Sequence, residues 1–496
     1  MNLFSGKFTK NSLPSTDKAR NIGIVEMNNI DGYVYPTRMK IASFVLLASI
    51  VVAILSFYGT DHFFENQYDD AYITYRYAIN LAQGFGMVFN ICERTDAASS
   101  FSYTVILALL YKVGFTNLEL VGGCIGLLSL AAIVWLVYKI AIAIAADEYL
   151  ALFLAFACGF NGFLSGWALS GMETLFWTAI ILASVYLMVI DSRPAFIFLA
   201  VTLAVFTRFE GVILISALVL HLYNRKSTYK DWLAVFIIVA VLSTFYVIKY
   251  EYYGVWISHA YWMKNITPYY QPNPLELIKL WVIFGSVPLL LGFIGLLQNR
   301  KYSSILAFTL LSSLSVLFGP TSDWARYSVH LLPILYAFSA LGYQFLIVKL
   351  LNIKSWKSNS IRLIVSVIFV FIMMLQASIG IAFNRKNMVG LSGHQVCRKQ
   401  LGSYIETFIP RDEIIALGDI GAIAYMAINH RFVDLYGLTS SDVLSEIEKG
   451  NTVDSILIKK DVIYWANTIR PNAAFIGDVE FSCSAGGYLF NLVNIK

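Results

Sequence analysis

Nine stretches of roughly twenty apolar residues recur along the chain, at 41–58, 118–138, 149–166, 172–190, 231–249, 278–297, 303–319, 327–348 and 363–383, each about the length at which a helix crosses a bilayer. A tenth block, 194–223, is interrupted by Thr207-Arg208-Phe209-Glu210-Gly211. One continuous helix there would hold Arg208 and Glu210 near mid-membrane at a cost of several kcal/mol, so two short spans meeting at a polar turn are expected. The count is about eleven spans. Composition agrees: 58% of the 496 residues are hydrophobic and only 14% charged, against about a quarter charged in soluble domains. This excludes a soluble multi-domain enzyme. Five cysteines exclude a disulfide scaffold, and so much apolar surface excludes a disordered chain. A net charge of +5 without a basic stripe gives no nucleic-acid face.

Lys and Arg mark the cytoplasmic side of a membrane protein. They collect in the first forty residues, at Arg225, Lys226 and Lys230, at Arg300-Lys301, and from Lys349 to Arg362. All four groups share one side only if the apolar segment 99–115 lies in the interface rather than spanning. On that reading residues 1–40 form a cytoplasmic tail, 41–383 the transmembrane domain and 384–496 an extracytoplasmic domain. The first span shows no signal-peptide cleavage pattern and reads as an anchored helix. After residue 384 charges return, and short β-like runs such as 413–417 and 472–476 alternate with glycine turns and helical patterns, predicting a small α/β domain. The outer segments are 59–117, the turns at 171–173 and 208–210, 250–277 and 321–326.

Ionisable residues are nearly absent from the spans, which argues against an ion-coupled transport pathway. They gather on the outer face instead: Asp69-Asp70, Glu173, Arg208 with Glu210, and Asp323 with Arg326. Taken singly each has a plain structural reading. An Asp pair in a loop is commonly a solvated turn, Glu173 can serve as a helix N-terminal charge, and Arg208 with Glu210 can be a structural ion pair. Together on one face they suit a reaction site, with paired carboxylates dividing base and positioning roles and Arg forks holding a phosphate. The aromatic residues of 250–270 suit either sugar stacking or an interfacial belt. The cysteines show no metal-ligand spacing, and a Cys397–Cys483 disulfide is compatible with an outer domain.

Six segments carry a family resemblance: DDAYITYRYAINLAQGFGMVFNICER (69–94), SGMETLF (170–176), TRFEG (207–211), YYG (252–254) followed by Lys264, SDWARYSVHLLP (322–333) and GAIAYMAINHRFVDLYGLTS (421–440). In this order they resemble the membrane glycosyltransferases of the GT-C superfamily, especially the terminal arabinofuranosyltransferase branch. The resemblance implies a polytopic α-helical GT-C bundle with a C-terminal extracytoplasmic α/β domain. It implies transfer of a sugar from a polyprenyl-phosphate donor to an envelope glycan, with the active site outside a bacterial inner membrane. Asp69 matches the catalytic aspartate, and Asp70 and Glu173 match acidic residues that hold acceptor or donor sugar. Arg208, Lys264 and Arg326 are the expected donor-phosphate ligands, with Glu210 and Asp323 completing the substrate-binding set. No metal ligands are assigned, and a divalent cation stays open as a cofactor. Phe209 in place of the family's Pro, and Thr321-Ser322 in place of its Gly, leave the sugar open. An O-antigen glucosyltransferase or a protein glycosyltransferase is the alternative within the class, and a lipid-linked sugar flippase is the rival from another.

Overall fold

The computed structural model describes residues 45, 48–50, 67–144, 146–266, 274–318, 326–351, 359–469, 477–485 and 488–495. The expected span at 41–58 lies largely outside them. Among the described residues fourteen helices form the first part: α1 (Asp69–Ala82), α2 (Phe101–Lys112), α3 (Leu118–Ala143), α4 (Glu148–Gly159), α5 (Gly162–Gly166), α6 (Thr174–Val189), α7 (Pro194–Thr207), α8 (Ile213–Asn224), α9 (Tyr229–Tyr253), α10 (His259–Ile266), α11 (Pro274–Gln298), α12 (Ser303–Phe318), α13 (Leu331–Leu351) and α14 (Asn359–Phe408). Four helical stretches, in α3, α9, α11 and α12, are long and apolar enough to cross a membrane, and seven shorter apolar helices accompany them among the described residues. The molecule is a polytopic helical membrane protein.

Local chemistry sets the helix breaks. The apolar run at 149–166 divides because Asn161 caps α5, its Oδ1 accepting the N–H groups of Phe163 and Leu164 at 3.1 and 3.2 Å. The block at 194–223 divides as expected at Arg208, whose backbone is extended (φ −148°, ψ 140°), before a 3₁₀ turn at Phe209–Val212. Gly211 permits this turn, since a Cβ there would lie 2.6 Å from the Ala204 carbonyl oxygen. Within the segment 99–115, α2 has twelve residues, about 18 Å of helix against about 30 Å of hydrocarbon.

The helix entering the C-terminal part behaves differently. α14 is 50 residues long, running from the last apolar stretch into the polar region without a break, so position 384 falls inside a continuous helix. Beyond it lie β1 (Ile415–Leu417), α15 (Ala422–Met426), β2 (Phe432–Asp434), α16 (Ser441–Glu448), α17 (Val453–Lys459), β3 (Tyr464–Ile469), β4 (Asp478–Ala485) and β5 (Tyr488–Asn494). The sheet order is β2-β1-β3-β5-β4, parallel from β2 to β3 and antiparallel thereafter. The strand expected at 413–417 is β1; the one expected at 472–476 lies outside the described residues.

One apolar core fills the helical bundle. A second joins Ile73, Tyr77 and Phe89 of the loop containing α1 to Leu401, Ile405, Ile423, Phe432 and Phe490, so this loop and the α/β domain share a core. Cys397 of α14 and Cys483 of β4 form a disulfide across 86 residues of chain. Replacing both by Ser is expected to destabilise the domain by about 2–4 kcal/mol, read as a lower urea midpoint for protease cleavage. An unchanged midpoint would show that the bridge adds nothing.

Candidate active site

The first turn of α1 presents Asp69 and Asp70, where carboxylates also favour the helix dipole. Their side chains diverge. Asp69 turns to the C-terminal domain, its two carboxylate oxygens accepting the N–H groups of Gly421 (3.0 Å) and Ala422 (2.9 Å), with Arg398 Nε 3.8 Å away. Arg398 also binds Asp419 through Nε and Nη2, at 3.2 and 3.0 Å. Burial raises the Asp69 carboxyl above the usual carboxylate range; Arg398 pulls it down, while Asp419 and Asp70 push it up. Asp70 turns to the membrane domain and pairs with Arg326 at 3.2 Å.

Arg326 is buried, donating from Nη1 to Met172 Sδ (3.0 Å) and from Nη2 to the Tyr327 hydroxyl (3.2 Å). The Tyr327 ring lies 5.2 Å from the Arg326 guanidinium and 4.9 Å from that of Arg208. Arg208 is held between two carboxylates: Nη1 donates to Glu173 (2.8 Å), while Nη2 and Nε form a fork on Glu210 (2.9 and 3.3 Å). Trp177 closes another side at 5.4 Å. Burial opposes the charge on Arg208, but Glu210 and Glu173 outweigh it and hold the guanidinium protonated. The same pairing overrides burial at Glu210 and brings its carboxyl down to about 2. Glu173 is fully buried before α6 and caps none of its N–H groups; its partner is Arg208, and its Oε2 has none. The left-handed Gly171 (φ 76°) makes the turn that places it, and the Gly171 carbonyl accepts the hydroxyls of Tyr75 and Tyr103.

A groove of about 390 Å³ adjoins Arg208. Its walls include Phe101, Val205, Phe206, Phe245 and Ile248, and Lys249 and Asp96 also line it. These last two pair at 2.7 Å, with Asp96 3% exposed. Burial raises the Asp96 carboxyl and Lys249 opposes that rise. Neither residue belongs to the expected site. Lys249 ends an apolar run and reads as a helix-end charge, and nothing local connects it to a loop residue at 96. The side chain of Lys264, on α10, and the whole of Asp323 lie outside the described residues. Sequence segments 69–70, 172–173, 208–210 and 326–327 thus converge, with Asp69 linked to the C-terminal domain rather than to Arg208 or Arg326. Among the described residues no three His, Cys, Asp or Glu side chains converge to hold a metal ion.

A family model described as "Domain of unknown function (DUF8728)" matches residues 386–487. No curated protein matches the chain. Among solved structures, the fold is similar to ArnT from Cupriavidus metallidurans bound to undecaprenyl phosphate, with a TM-score of 0.58 and 12% identity over 91% of this chain and 97% of that one. It is also similar to the oligosaccharyltransferase of Archaeoglobus fulgidus in its apo form (TM-score 0.59, 12% identity, 89% of this chain and 70% of that one). A third match is the A. fulgidus enzyme AglB in complex with an inhibitory peptide and a dolichol-phosphate (TM-score 0.54, 10% identity, 86% and 69%). The chain therefore shares the fold of these proteins.

Proposed function

We propose that this protein is an integral membrane glycosyltransferase that moves a sugar from a polyprenyl-phosphate carrier to an envelope glycan on the outer face of a bacterial inner membrane. The observation carrying this reading is the linked charge network of Asp70, Arg326, Tyr327, Arg208, Glu173 and Glu210 at the end of an apolar groove, because such a donor joins a charged phosphate to a hydrocarbon tail. The similar proteins ArnT and AglB bind undecaprenyl phosphate and dolichol-phosphate, which supports the same donor class.

In the proposed step an acceptor hydroxyl loses its proton to Asp69 as its oxygen bonds to the anomeric carbon. The bond from that carbon to the phosphate oxygen breaks, and its electron pair leaves with the polyprenyl phosphate. A single displacement inverts the anomeric centre. A base whose conjugate acid is raised toward neutral accepts a proton more readily, the direction burial gives Asp69. Arg208 and Lys249 are the cations at the groove, with Lys264 beyond them in sequence; Asp70 holds a sugar hydroxyl, and the buried Glu173 holds Arg208 in place.

The test is transfer by the full-length chain in proteoliposomes, using undecaprenyl-phosphoryl glucose and decaprenyl-phosphoryl arabinofuranose labelled in the sugar, with envelope glycan from cells lacking the gene. Label is expected in the glycan, with polyprenyl phosphate released in equal amount. Movement of intact donor across the bilayer without release would establish a flippase instead.

A further inference from the structure

Residues 386–487 meet the α1 loop at three contacts. The first is the pair of backbone N–H groups, from Gly421 and Ala422, on the Asp69 carboxylate. The second is Arg76, two turns further along α1 and 2% exposed. It donates to the carbonyls of Ala424, Ala427 (3.3 Å) and His430 (2.7 Å), with its guanidinium 4.8 Å from the Phe89 ring and 5.1 Å from that of Phe432. The third is Asn90, whose amide both donates to and accepts from the backbone of Phe432, at 2.8 and 3.2 Å. The shared apolar cluster lies beneath all three. Burying a guanidinium is costly unless its donors are satisfied; here Nε donates to the Phe89 carbonyl (2.9 Å) and the Nη groups to backbone carbonyls of the α/β domain, so the charge fixes the domain's register on α1.

We infer that the C-terminal domain is a working part of the transfer site: the Gly421–Ala422 backbone orients the Asp69 carboxylate, and Arg76 holds those two amides in register. This rests on the proposed base role of Asp69. The two N–H bonds occupy two of the carboxylate's roughly four lone-pair sites, and the others remain for the acceptor hydroxyl. A carboxylate fixed at both oxygens loses little freedom on reaching the transition state. Gly421 is required for this approach, since a Cβ there would lie 2.1 Å from the Asp69 backbone oxygen and 2.6 Å from its Oδ2. Gly421 and Ala422 are positioning residues. The other charged groups facing Asp69 are Asp70 on its own helix, Arg398 on α14 and Asp419 before α15.

The experiment compares Gly421→Ala and Ala422→Pro with the wild type in the proteoliposome assay. Ala422 is the first residue of α15, a helical position that tolerates proline, so this variant removes one N–H with little harm to the helix and carries the test if Gly421→Ala fails to insert. Each is expected to lower kcat at least about tenfold with the donor KM nearly unchanged. The acid limb of the pH–rate profile should move to higher pH, because N–H donors favour the ionised carboxylate. Added to Asp69→Asn, neither variant should slow the residual rate further. Wild-type kcat in both variants would overturn the proposal, as would additivity with Asp69→Asn, which would mark a general folding defect. If Asp69→Asn itself turned over normally, the base assignment would fall; a slow Asp69→Asn beside fast Gly421→Ala and Ala422→Pro would remove only the orienting role. Faster amide exchange at residues 421–422 in Asp69→Asn than in wild type checks the contact independently of turnover, and equal exchange would count against it.

Discussion

Asp69→Asn is expected to insert normally, bind undecaprenyl phosphate as the wild type does, and transfer sugar about ten- to a hundredfold more slowly. An acceptor hydroxyl is a weak nucleophile at neutral pH, and Asn keeps the volume of Asp while lacking the basic oxygen. The structure adds a smaller effect. The Asn Nδ2 would face a backbone N–H that now bonds to a carboxylate oxygen, so one of the two contacts with Gly421 and Ala422 is lost, at about 1–3 kcal/mol. Asp70→Asn should chiefly raise the donor KM, since Asp70 pairs with the buried Arg326. Unchanged turnover in purified Asp69→Asn at saturating donor and acceptor would sink the assignment; an inactive Asp70→Asn beside it would move the base one residue along.

The second large effect belongs to Arg208. Removing one partner of a buried ion pair strands the other, at about 3–5 kcal/mol, and Glu173 is 1% exposed. Arg208→Ala alone should therefore lose both abundance and activity. Arg208→Ala combined with Glu173→Gln removes the stranded charge and should recover abundance, while transfer stays about a hundredfold or more below wild type for want of a phosphate ligand. Arg208→Lys should recover part of the rate, because a point charge lacks the planar fork that now meets Glu210. The informative measurement is turnover per folded molecule. Near-wild-type turnover in the double variant would show that Arg208 serves only the bundle.

The broad class of this protein is legible in its apolar runs and composition. Apolar runs of bilayer length leave little choice of fold, and a charged Thr207–Gly211 inside such a run must break it, because the cost of burying two charges exceeds what a longer helix returns. The return of charge and β-like runs after 384 likewise announced an α/β unit. These are properties of composition over short windows, and short windows are what a sequence displays. The partners of each charge were decided elsewhere. Arg326 meets Asp70 across 256 positions, Lys249 meets Asp96 across a groove, and Asp69 meets the amides of Gly421 and Ala422 more than 350 residues away. Such pairs follow from how helices pack, and no local pattern encodes them. The adjacent carboxylates of Asp69 and Asp70 look equivalent as a dipeptide. Successive helical residues point about 100° apart, so packing turns one to the α/β domain and the other to the membrane-domain arginine, and only the tertiary structure separates them.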